Sequence, residues 1–598
     1  MTTPRRHGAP TRPDHGLAMK CVAAITFSLL LAGAALAQGG TFTTGPTLGP
    51  ANPVTPPPAS PPAGNDIRAN TVGGSAQNET SMAVNPIDAR NWVGTANDYG
   101  FGGVQISWYT TQNAGQTWTT GTFGLEAGFS FSGDAAVTFD TQGVATIVGM
   151  MYDGPGSVDR VKTWRSLNGG LTWAAGVTLG ALDGYDKPQI EADLSPTSPN
   201  RDHVLVAWNR FTGGLIATVE TSVSSNQSLT WSAPQIISNA NASAISPDVA
   251  WGPNGEAYVV WADRQLFDVQ FDRSLNNGVT WGLDIKIADY TQVPSPLPGN
   301  GLRMFDIFAI HSDQSNGPFA GTVYAAWHTL AAGAGNHRSD VVVARSANQG
   351  TTWSAPVKVS SDGVQQNDQF FPGLVVDRQG NVNVAFYDQR NDVNDLRIWT
   401  WVARSANGGV TWTDTQVSDV GWNDSATEFP YFIGDYLDID ADARGLLHPF
   451  WCDGRLNSQD VFTDSVNLQL YTDVSTLSAA TGGVVTFTIR TGPNLGGQVY
   501  LLAASGSGTS PGITLPNAVT VPLNFDVWTD FTINFANSPV FPGSVGVLDA
   551  QGAASAQMNT LGPFPAALAG IQLDFSVVTI SGGIGTHATT PTRVTLVP

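Results

Sequence analysis

One eight-residue motif recurs along the chain, as "SLNNGVTW" (Ser274–Trp281), "SANQGTTW" (Ser346–Trp353) and "SANGGVTW" (Ser405–Trp412). Three earlier copies are "TQNAGQTW" (Thr111–Trp118), "SLNGGLTW" (Ser166–Trp173) and "SSNQSLTW" (Ser224–Trp231). The closing tryptophans follow one another at intervals of 55, 58, 50, 72 and 59 residues. A nearly regular period of this size indicates a solenoid, an array or a propeller.

The residues around each motif predict four short strands per repeat. Stretches such as "AYVVWADR" (257–264) and "DVQFDRS" (268–274) are apolar or alternate with period two, and Gly, Pro, Asn and Asp punctuate them. Four antiparallel strands favour a propeller, because closing the ring protects the sheet edges. We therefore predict an all-β fold, a β-propeller followed by a C-terminal β-sandwich.

The number of blades is predicted from length. Residues 66–470 give about 58 residues for each of seven blades, close to the motif spacing, whereas six would need about 68. Seven blades are preferred and six remain possible. The last repeat has no motif and no fourth strand, so "DIRANTV" (Asp66–Val72) is expected to supply that strand and close the ring.

The two ends of the chain differ from the repeats. Residues 1–37 are predicted to contain a signal peptide, since an apolar run precedes Ala35-Leu36-Ala37, and residues 38–65 form a linker rich in Pro and Gly. Residues 471–598 alternate in the manner of a β-sandwich. No later run is long and apolar enough to span a bilayer, so we expect a secreted or cell-surface protein.

Charge and cysteine content narrow the expected partners. The formal net charge is −21, which argues against nucleic acid and anionic membranes as partners. Cys21 leaves with the signal peptide and Cys452 is then alone, so no intrachain disulfide is expected. The acidic stretch Asp388–Arg397 lacks the Gly and Glu of an EF-hand loop, and no metal or cofactor is predicted.

The pattern S/T-x-N-x-G-x-T-W resembles the Asp-box, or BNR repeat, of sialidases and related β-propellers. Asn stands for the usual Asp in all six copies, and Ser228 replaces Gly in the third. An Asn side chain can accept a bond from the backbone two residues on, and Gly supplies a positive φ. The resemblance implies that the motif joins strands three and four, away from the ligand face. We therefore interpret it as structural.

Candidate ligand contacts lie at the opposite face, where second strands end and first strands begin. The second-strand ends are Asn97-Asp98, Tyr152-Asp153, Asn209-Arg210, Asp263-Arg264, His328, Asp388 with Arg390, and Asp453 with Arg455. The first-strand starts are Glu79, Asp134, Asp186-Lys187, Asp248, Asp306, Phe371 and Asp435-Tyr436. Acidic, basic and aromatic residues around one axis are typical of a sugar site. The recurring Asp–Arg pairs are equally consistent with ion pairs that brace the ring.

The resemblance to sialidases implies an arginine triad, an Asp acid, and a Tyr nucleophile assisted by Glu. By blade position the triad falls on Arg264, Arg390 and Arg455. Arg210, Asp263, Asp388 and Asp453 are the other predicted substrate contacts. Asp98 or Asp134 would be the acid and Tyr436 the nucleophile, with Glu428 or Glu191 nearby. Two departures from the family are the absence of Pro beside Arg68 in "DIRAN" and the preference for seven blades over six.

Two functions from different classes follow. The first is a secreted, sialidase-like propeller that binds, and in one version hydrolyses, an extracellular glycan or glycoprotein at the axial face. The alternative is a non-catalytic extracellular glycan- or protein-binding or scaffold module. The second needs only the charged and aromatic face, whereas the first needs a matched proton donor and nucleophile.

Overall fold

The structure is a computed structural model. It describes residues 66–598 except 71–74, 116, 154–157, 214–215, 240–241, 332–337, 363–366, 444, 467–469, 473, 475, 492–494, 510–511, 516–518, 551, 566–567 and 590. The predicted signal peptide and linker lie outside the described residues.

Residues 66–466 form four-stranded antiparallel sheets, numbered here in chain order. The strands of sheets 1 to 3 are Gln77–Val84, Trp92–Asp98, Gln105–Thr111 and Thr119–Thr122; Phe131–Phe139, Ala145–Tyr152, Arg160–Ser166 and Val177–Gly180; and Tyr185–Ala192, Val204–Gly213, Ile216–Ser224 and Gln235–Ile236. Those of sheets 4 and 5 are Ala244–Trp251, Ala257–Asp263, Asp268–Ser274 and Ile285–Asp289; and Phe308–Ser312, Val323–Leu330, Ser339–Ser346 and Val357–Lys358. Those of sheets 6 and 7 are Gln369–Val376, Val382–Asp388, Trp399–Ser405 and Thr413–Gln416; and Asp438–Ala441, Leu447–Asp453, Asp460–Thr463 and Ile67–Arg68.

The sheets are arranged as a closed ring. The first strand of each sheet contacts the first strand of the next, and the first strand of sheet 7 contacts that of sheet 1. First strands therefore surround the axis and fourth strands lie outside, which is the arrangement of a β-propeller.

The ring closes through a strand from its N-terminal end. Ile67 pairs with Thr463 and Arg68 with Phe462, antiparallel, as the stretch "DIRANTV" predicted. The buried Asn70 side chain donates to Asp460 Oδ1 at 2.7 Å and to Gln77 Oε1 at 2.8 Å. The closing segment is thus tied to both sheets that it joins.

The eight-residue motif forms the turn between strands three and four in sheets 1 to 6. In Ser274–Trp281, Ser274 Oγ accepts from Gly278 N, and Asn276 Oδ1 accepts from Thr280 N, each at 2.9 Å. The other copies repeat these bonds at 2.8–3.0 Å. The Asn side chain therefore bonds the backbone four residues on, not two residues on as the sequence suggested.

The motif also joins neighbouring sheets. Gly350 has a φ of +80°, and a Cβ added there would lie 2.0 Å from Phe271 Cε1 of the preceding sheet. The glycine is thus needed for its conformation and for the close approach of the turn to that ring. The motif has the structural role that the sequence predicted for it.

The described part of residues 470–598 is also largely strands. One sheet contains Leu470–Thr472, Val484–Arg490 and Ala553–Asn559. A second contains Thr476–Ser478, Val499–Ser505, Val545–Val547, Gln572–Ser581, Ile584–Ala588 and Thr592–Val597, and Ile513–Thr514 pairs with Thr520–Val521. The two larger sheets share one apolar core, which includes Phe487 and Phe575 with ring centroids 4.5 Å apart.

The sequence patterns did not predict helix in this region. Val527–Asn534 is an α-helix, and Asp526 caps it by accepting from Trp528 N and Thr529 N in a capping box. A 3₁₀ turn covers Asp424–Ala426. No helix among the described residues has the length and apolar character needed to cross a bilayer.

Candidate functional site

A repeated bulge shapes the inner end of the first strands. The pairing register shifts near the start of the first strand in sheets 1, 2, 3, 4 and 6. One residue in each bulge has a φ between 49° and 55°: Glu79, Asp134, Lys187, Ser246 and Phe371. Such a φ is uncommon for residues other than Gly and is often found at functional sites. Four of these positions were predicted first-strand starts, whereas in sheet 4 the bulge falls on Ser246 instead of Asp248.

Three of the bulged side chains line a cavity of about 500 Å³. Because strands one and three run parallel, this end of the first strands lies opposite the motif turns. The cavity lies at the inner ends of sheets 1 to 3 and beside two connections, and "axial cavity" is used here only as its name. Its lining residues are Glu79, Asn97, Tyr99, Asp134, Met150, Tyr152, Asp159, Asp183, Gly184, Tyr185, Asp186, Lys187, Arg303, Phe305, Phe432 and Asp435.

Three carboxyl groups form a hydrogen-bonded chain on the cavity wall. Glu79 and Asp186 each share a hydrogen bond with Asp134. Burial, followed by the charge of Asp134, raises the pKa of Glu79 well above its ordinary value. Burial raises the pKa of Asp186 to about 7. Burial acts in the same sense on Asp134, but Lys187 and the hydrogen bonds from its two neighbours outweigh it, so the pKa of Asp134 is lowered.

The chain of carboxyl groups therefore holds protons at neutral pH. Glu79 is a protonated donor at neutral pH, Asp186, with its pKa of about 7, is protonated about half of the time, and Asp134 is the carboxylate that accepts from both. Asn97 fixes the centre of this chain, because its Nδ2 donates to Glu79 Oε2 at 2.7 Å and its Oδ1 accepts from Asp134 N at 2.8 Å. A group with a pKa near 7 is suited to donating a proton at neutral pH.

Two cations of the cavity are paired with one carboxylate. Lys187 Nζ lies 2.6 Å from Asp435 Oδ2, and both side chains are almost completely buried. Arg303 pairs with the other oxygen, Asp435 Oδ1. Although burial lowers the pKa of Lys187, the charges of Asp435, Glu79, Asp186 and Asp134 together raise it, so its ammonium group stays charged.

Aromatic rings surround these charges. Tyr99, Tyr152, Phe305 and Phe432 are half-buried and line the cavity. The Lys187 ammonium group lies 4.6 Å from the Phe305 ring centroid, and the Arg303 guanidinium group lies 4.6 Å from that of Phe432. Partly exposed rings beside hydrogen-bonding groups can stack on the apolar face of a sugar.

The predicted catalytic residues are distributed unevenly. Asp134 lines the axial cavity, and the Lys187 ammonium group lies 5.4 Å from the ring centroid of the buried Tyr436. Asp98 accepts from Ser107 Oγ at 2.9 Å and Glu428 from Ser458 Oγ at 2.9 Å, and neither lines the cavity. Burial and the neighbouring acids raise the pKa of Tyr436 well above its ordinary value. Tyr436 is therefore a phenol, not a phenolate, at neutral pH.

The predicted arginine triad is held by carboxylates of the ring. Arg264 Nε lies 2.8 Å from Asp306 Oδ2. Arg390 bonds Asp388 and Asp414, and its guanidinium group lies 3.9 Å from the Trp401 ring centroid. Arg455 bonds Asp453 and Asp66, the residue before the closing strand.

None of these three arginines lines the axial cavity. The other predicted substrate contacts, Arg210 and Asp263, are likewise engaged, Arg210 with Glu220 at 3.8 Å and Asp263 with Gln265 N at 2.8 Å. Of these contacts only Arg264–Asp306 runs from one sheet to the connection before the next, as expected of an ion pair that braces the ring, whereas the others lie within one sheet. The role of these residues in substrate binding stays a prediction.

Glu191 and Asp248 lie at a different place in the ring. Both line a second cavity of about 440 Å³, together with Ser81, Asp438 and Asp440. These residues lie farther along the first strands than the bulged residues. Glu191 was placed near the nucleophile by resemblance, and Asp248 was placed on the ligand face; in the structure neither lines the axial cavity.

Sequence reasoning missed the residues that come from long connections. The two longest connections between sheets, 290–307 and 417–437, contribute Arg303, Phe305 and Phe432 to the cavity. The Arg303 amide donates to Tyr431 O at 2.8 Å, which joins the two connections. The interval of 72 residues between Trp281 and Trp353 is the signal that could have revealed the first of them.

The described residues include no group of three or more His, Cys, Asp or Glu side chains arranged to hold a metal ion. Within the axial cavity, the Lys187 ammonium group is the cation in contact with the buried carboxylate of Asp435.

Comparison with known proteins gives structural likeness only. No protein-family model matches the chain, and no curated protein sequence does. A Hadza microbial sialidase shares 13% identity over 67% of this chain and 68% of its own, with a TM-score of 0.40. The NanB sialidase from Streptococcus pneumoniae shares 10% over 59% and 70%, with a TM-score of 0.39. The GH93 α-L-arabinofuranosidase of Fusarium graminearum shares 11% over 67% and 97%, with a TM-score of 0.37. Likeness at this level assigns neither a family nor an activity to the chain.

Proposed function

We propose that this chain is a secreted, seven-bladed β-propeller protein with a C-terminal β-sandwich, and that its axial cavity binds a glycan. The single observation that carries the proposal is the axial cavity itself, in which half-buried rings stand beside carboxyl groups. Sugars present hydroxyl groups at their edges and apolar C–H faces, so a site for them needs both kinds of contact.

Binding is tested with the mature chain on an array of glycans. We expect at least one glycan class to bind, with affinity reduced at least tenfold by Phe305→Ala, because that ring is half-buried at the cavity. Phe267→Ala is the matched control, since Phe267 is partly exposed but does not line the cavity. Absence of any binding, or equal loss in both variants, would refute the proposal.

Hydrolysis is a second candidate function, and the proton-sharing chain of Glu79, Asp134 and Asp186 favours it. Asp186 holds a proton near neutral pH and could deliver it to a glycosidic oxygen. However, Asp134, the carboxylate of the chain, is in hydrogen-bond contact with both Glu79 and Asp186, closer than the separation of about 5 Å or more in two-carboxylate glycosidases. The nucleophile would therefore have to be another group, and Tyr436 stays the predicted one.

Catalysis is tested on the glycans that bind. We expect Asp186→Asn to abolish product formation while keeping the affinity for the glycan within a few-fold of the wild-type value, because Asn keeps the shape of the side chain but has no acidic proton. Tyr436→Phe should likewise abolish product formation while keeping the glycan affinity, because it removes the hydroxyl group of the predicted nucleophile. Binding without product in the wild-type protein would leave the non-catalytic alternative.

Secretion rests on residues outside the structure. We expect the full-length chain, expressed in a bacterium, to appear outside the cytoplasm with Gln38 as its first residue. N-terminal sequencing of the exported protein tests this, and retention of an uncleaved chain in the cytoplasm would contradict it.

A further inference from the structure

The charges of the axial cavity bear on the class of sugar that it can accept. Six of its lining residues are acidic and two are basic. Both basic side chains, Lys187 and Arg303, are already bonded to one carboxylate, Asp435. The cavity therefore offers an incoming anion no cation that lacks a carboxylate partner.

Among the described residues, no Lys or Arg side chain forms an ion pair with the remaining acids of the cavity, although the Lys187 charge acts on Asp134. Asp134 is bonded to Asn97 and to its two carboxyl neighbours, and the protons of those neighbours are directed to it. Asp183 is exposed beside the cavity. A ligand carboxylate here would meet acidic oxygens and would lose water without gaining a guanidinium fork.

From this distribution of charge we propose that the axial cavity selects uncharged or amino-bearing sugar residues and rejects anionic ones. The inference rests on the proposed glycan-binding function. It also departs from what the resemblance to sialidases implies, because the arginines that would hold a sugar carboxylate are bonded to Asp306, Asp388 and Asp453 instead.

The experiment uses sugars that differ at one carbon, where a hydroxymethyl or hydroxyl group is replaced by a charged group. Oligosaccharides ending in glucose and in glucuronate, and in galactose and galacturonate, are compared at equal linkage, with a glucosamine-terminated set as the cationic arm. We expect each uronate to bind at least about tenfold more weakly than its neutral partner, with a difference that shrinks as salt screens the acids. Glucosamine should bind at least as well as glucose.

A pair of charge reversals tests the origin of the selectivity. Asp183→Lys should lower the ratio of neutral-sugar affinity to uronate affinity at least threefold, because it places a cation beside the cavity. Asp289→Lys changes the net charge of the chain equally, but that side chain is 79% exposed and lies outside the cavity, so the ratio should not change.

The outcomes separate the inference from the proposed function. If uronates bind as well as or better than the neutral sugars, the charge selectivity is wrong and glycan binding stands. If neither neutral nor charged sugars bind, the proposed function itself fails. If both reversals alter the ratio equally, the selectivity comes from the net charge of the chain and the inference is overturned.

Discussion

The Lys187–Asp435 pair allows a sharp test of how the axial cavity is held together. Lys187→Met removes the ammonium group and keeps most of the volume of the side chain. Both partners are almost completely buried, with side-chain exposures of 5% and 2% and an Nζ–Oδ2 distance of 2.6 Å. Removing one partner of a fully buried pair costs about 3–5 kcal/mol, and because Arg303 still pairs with Asp435 Oδ1, the cost here should lie at the lower end of that range. We expect the free energy of unfolding to fall by that amount.

An exposed pair supplies the control. Lys286 Nζ lies 2.5 Å from Asp289 Oδ1, but the side chains are 48% and 79% exposed. Asp289→Asn should therefore cost less than about 1 kcal/mol, because water solvates the Lys286 ammonium group that remains. The distance is similar in both pairs, so the comparison isolates the effect of burial.

Urea unfolding followed by tryptophan fluorescence measures the difference. Seventeen of the eighteen tryptophans lie between Trp92 and Trp451, so the signal reports the ring. The double variant Lys187→Met/Asp435→Asn should recover part of the loss, since it also removes the buried carboxylate, and Arg303, which then loses its partner, is 47% exposed to water. Equal losses for Lys187→Met and Asp289→Asn, or strictly additive losses in the double variant, would refute the reasoning.

Three further predictions concern the motif turns and the proton-sharing chain. Asn276→Ala should lower the free energy of unfolding by at least about 1 kcal/mol without changing glycan affinity, since it removes the three hydrogen bonds of that side chain in a turn at the end opposite the cavity; a change in affinity would contradict the structural role. Gly350→Ala should cost clearly more than Gly124→Ala in urea unfolding, because both have positive φ but only the first Cβ would meet a neighbouring ring, and similar costs would argue against close packing of the turn. Asp186→Asn should remove part of the pH dependence of stability. With a pKa of about 7 when folded against 3.8 ordinarily, Asp186 keeps a proton that the unfolded chain releases, so wild-type stability falls as the pH rises from 3.8 to 7. The free energy of unfolding of the wild-type protein and of Asp186→Asn is measured at pH 4, 5.5 and 7. If it changes equally with pH in both proteins, Asp186 does not hold the extra proton.

The ring was predictable because its information is local and repeated. Each motif carries the Ser, Asn, Gly and Thr that close one turn, and each strand carries its own alternation of apolar residues. The stretch "DIRANTV" was identified as the closing strand because the last repeat lacked one. The α-helix Val527–Asn534 was not predicted, because no comparable repetition marks it and its capping residue Asp526 was overlooked.

The candidate site was predictable only in part. The starts of the first strands could be aligned, so Glu79, Asp134 and Lys187 were identified as facing one mouth of the ring. Arg303 and Phe305 could not be placed, because a long connection has no repeat to align it with. The ion pairs of the arginines could not be predicted from the sequence either. A carboxylate distant in sequence, such as Asp414 or Asp66, decides whether a guanidinium group is available to a ligand.

The closing strand has a consequence for how the chain is made. Ile67 and Thr463 are neighbours in one sheet although nearly 400 positions separate them along the chain. While the ribosome is still translating the sixth sheet, the partner of Ile67–Arg68 does not yet exist, and the growing ring has two open ends. A product terminated prematurely before Asp460 would keep those ends open and offer unpaired backbone to other chains. Only a chain that extends past Thr463 can therefore pair Ile67–Arg68 with its own seventh sheet and close the ring.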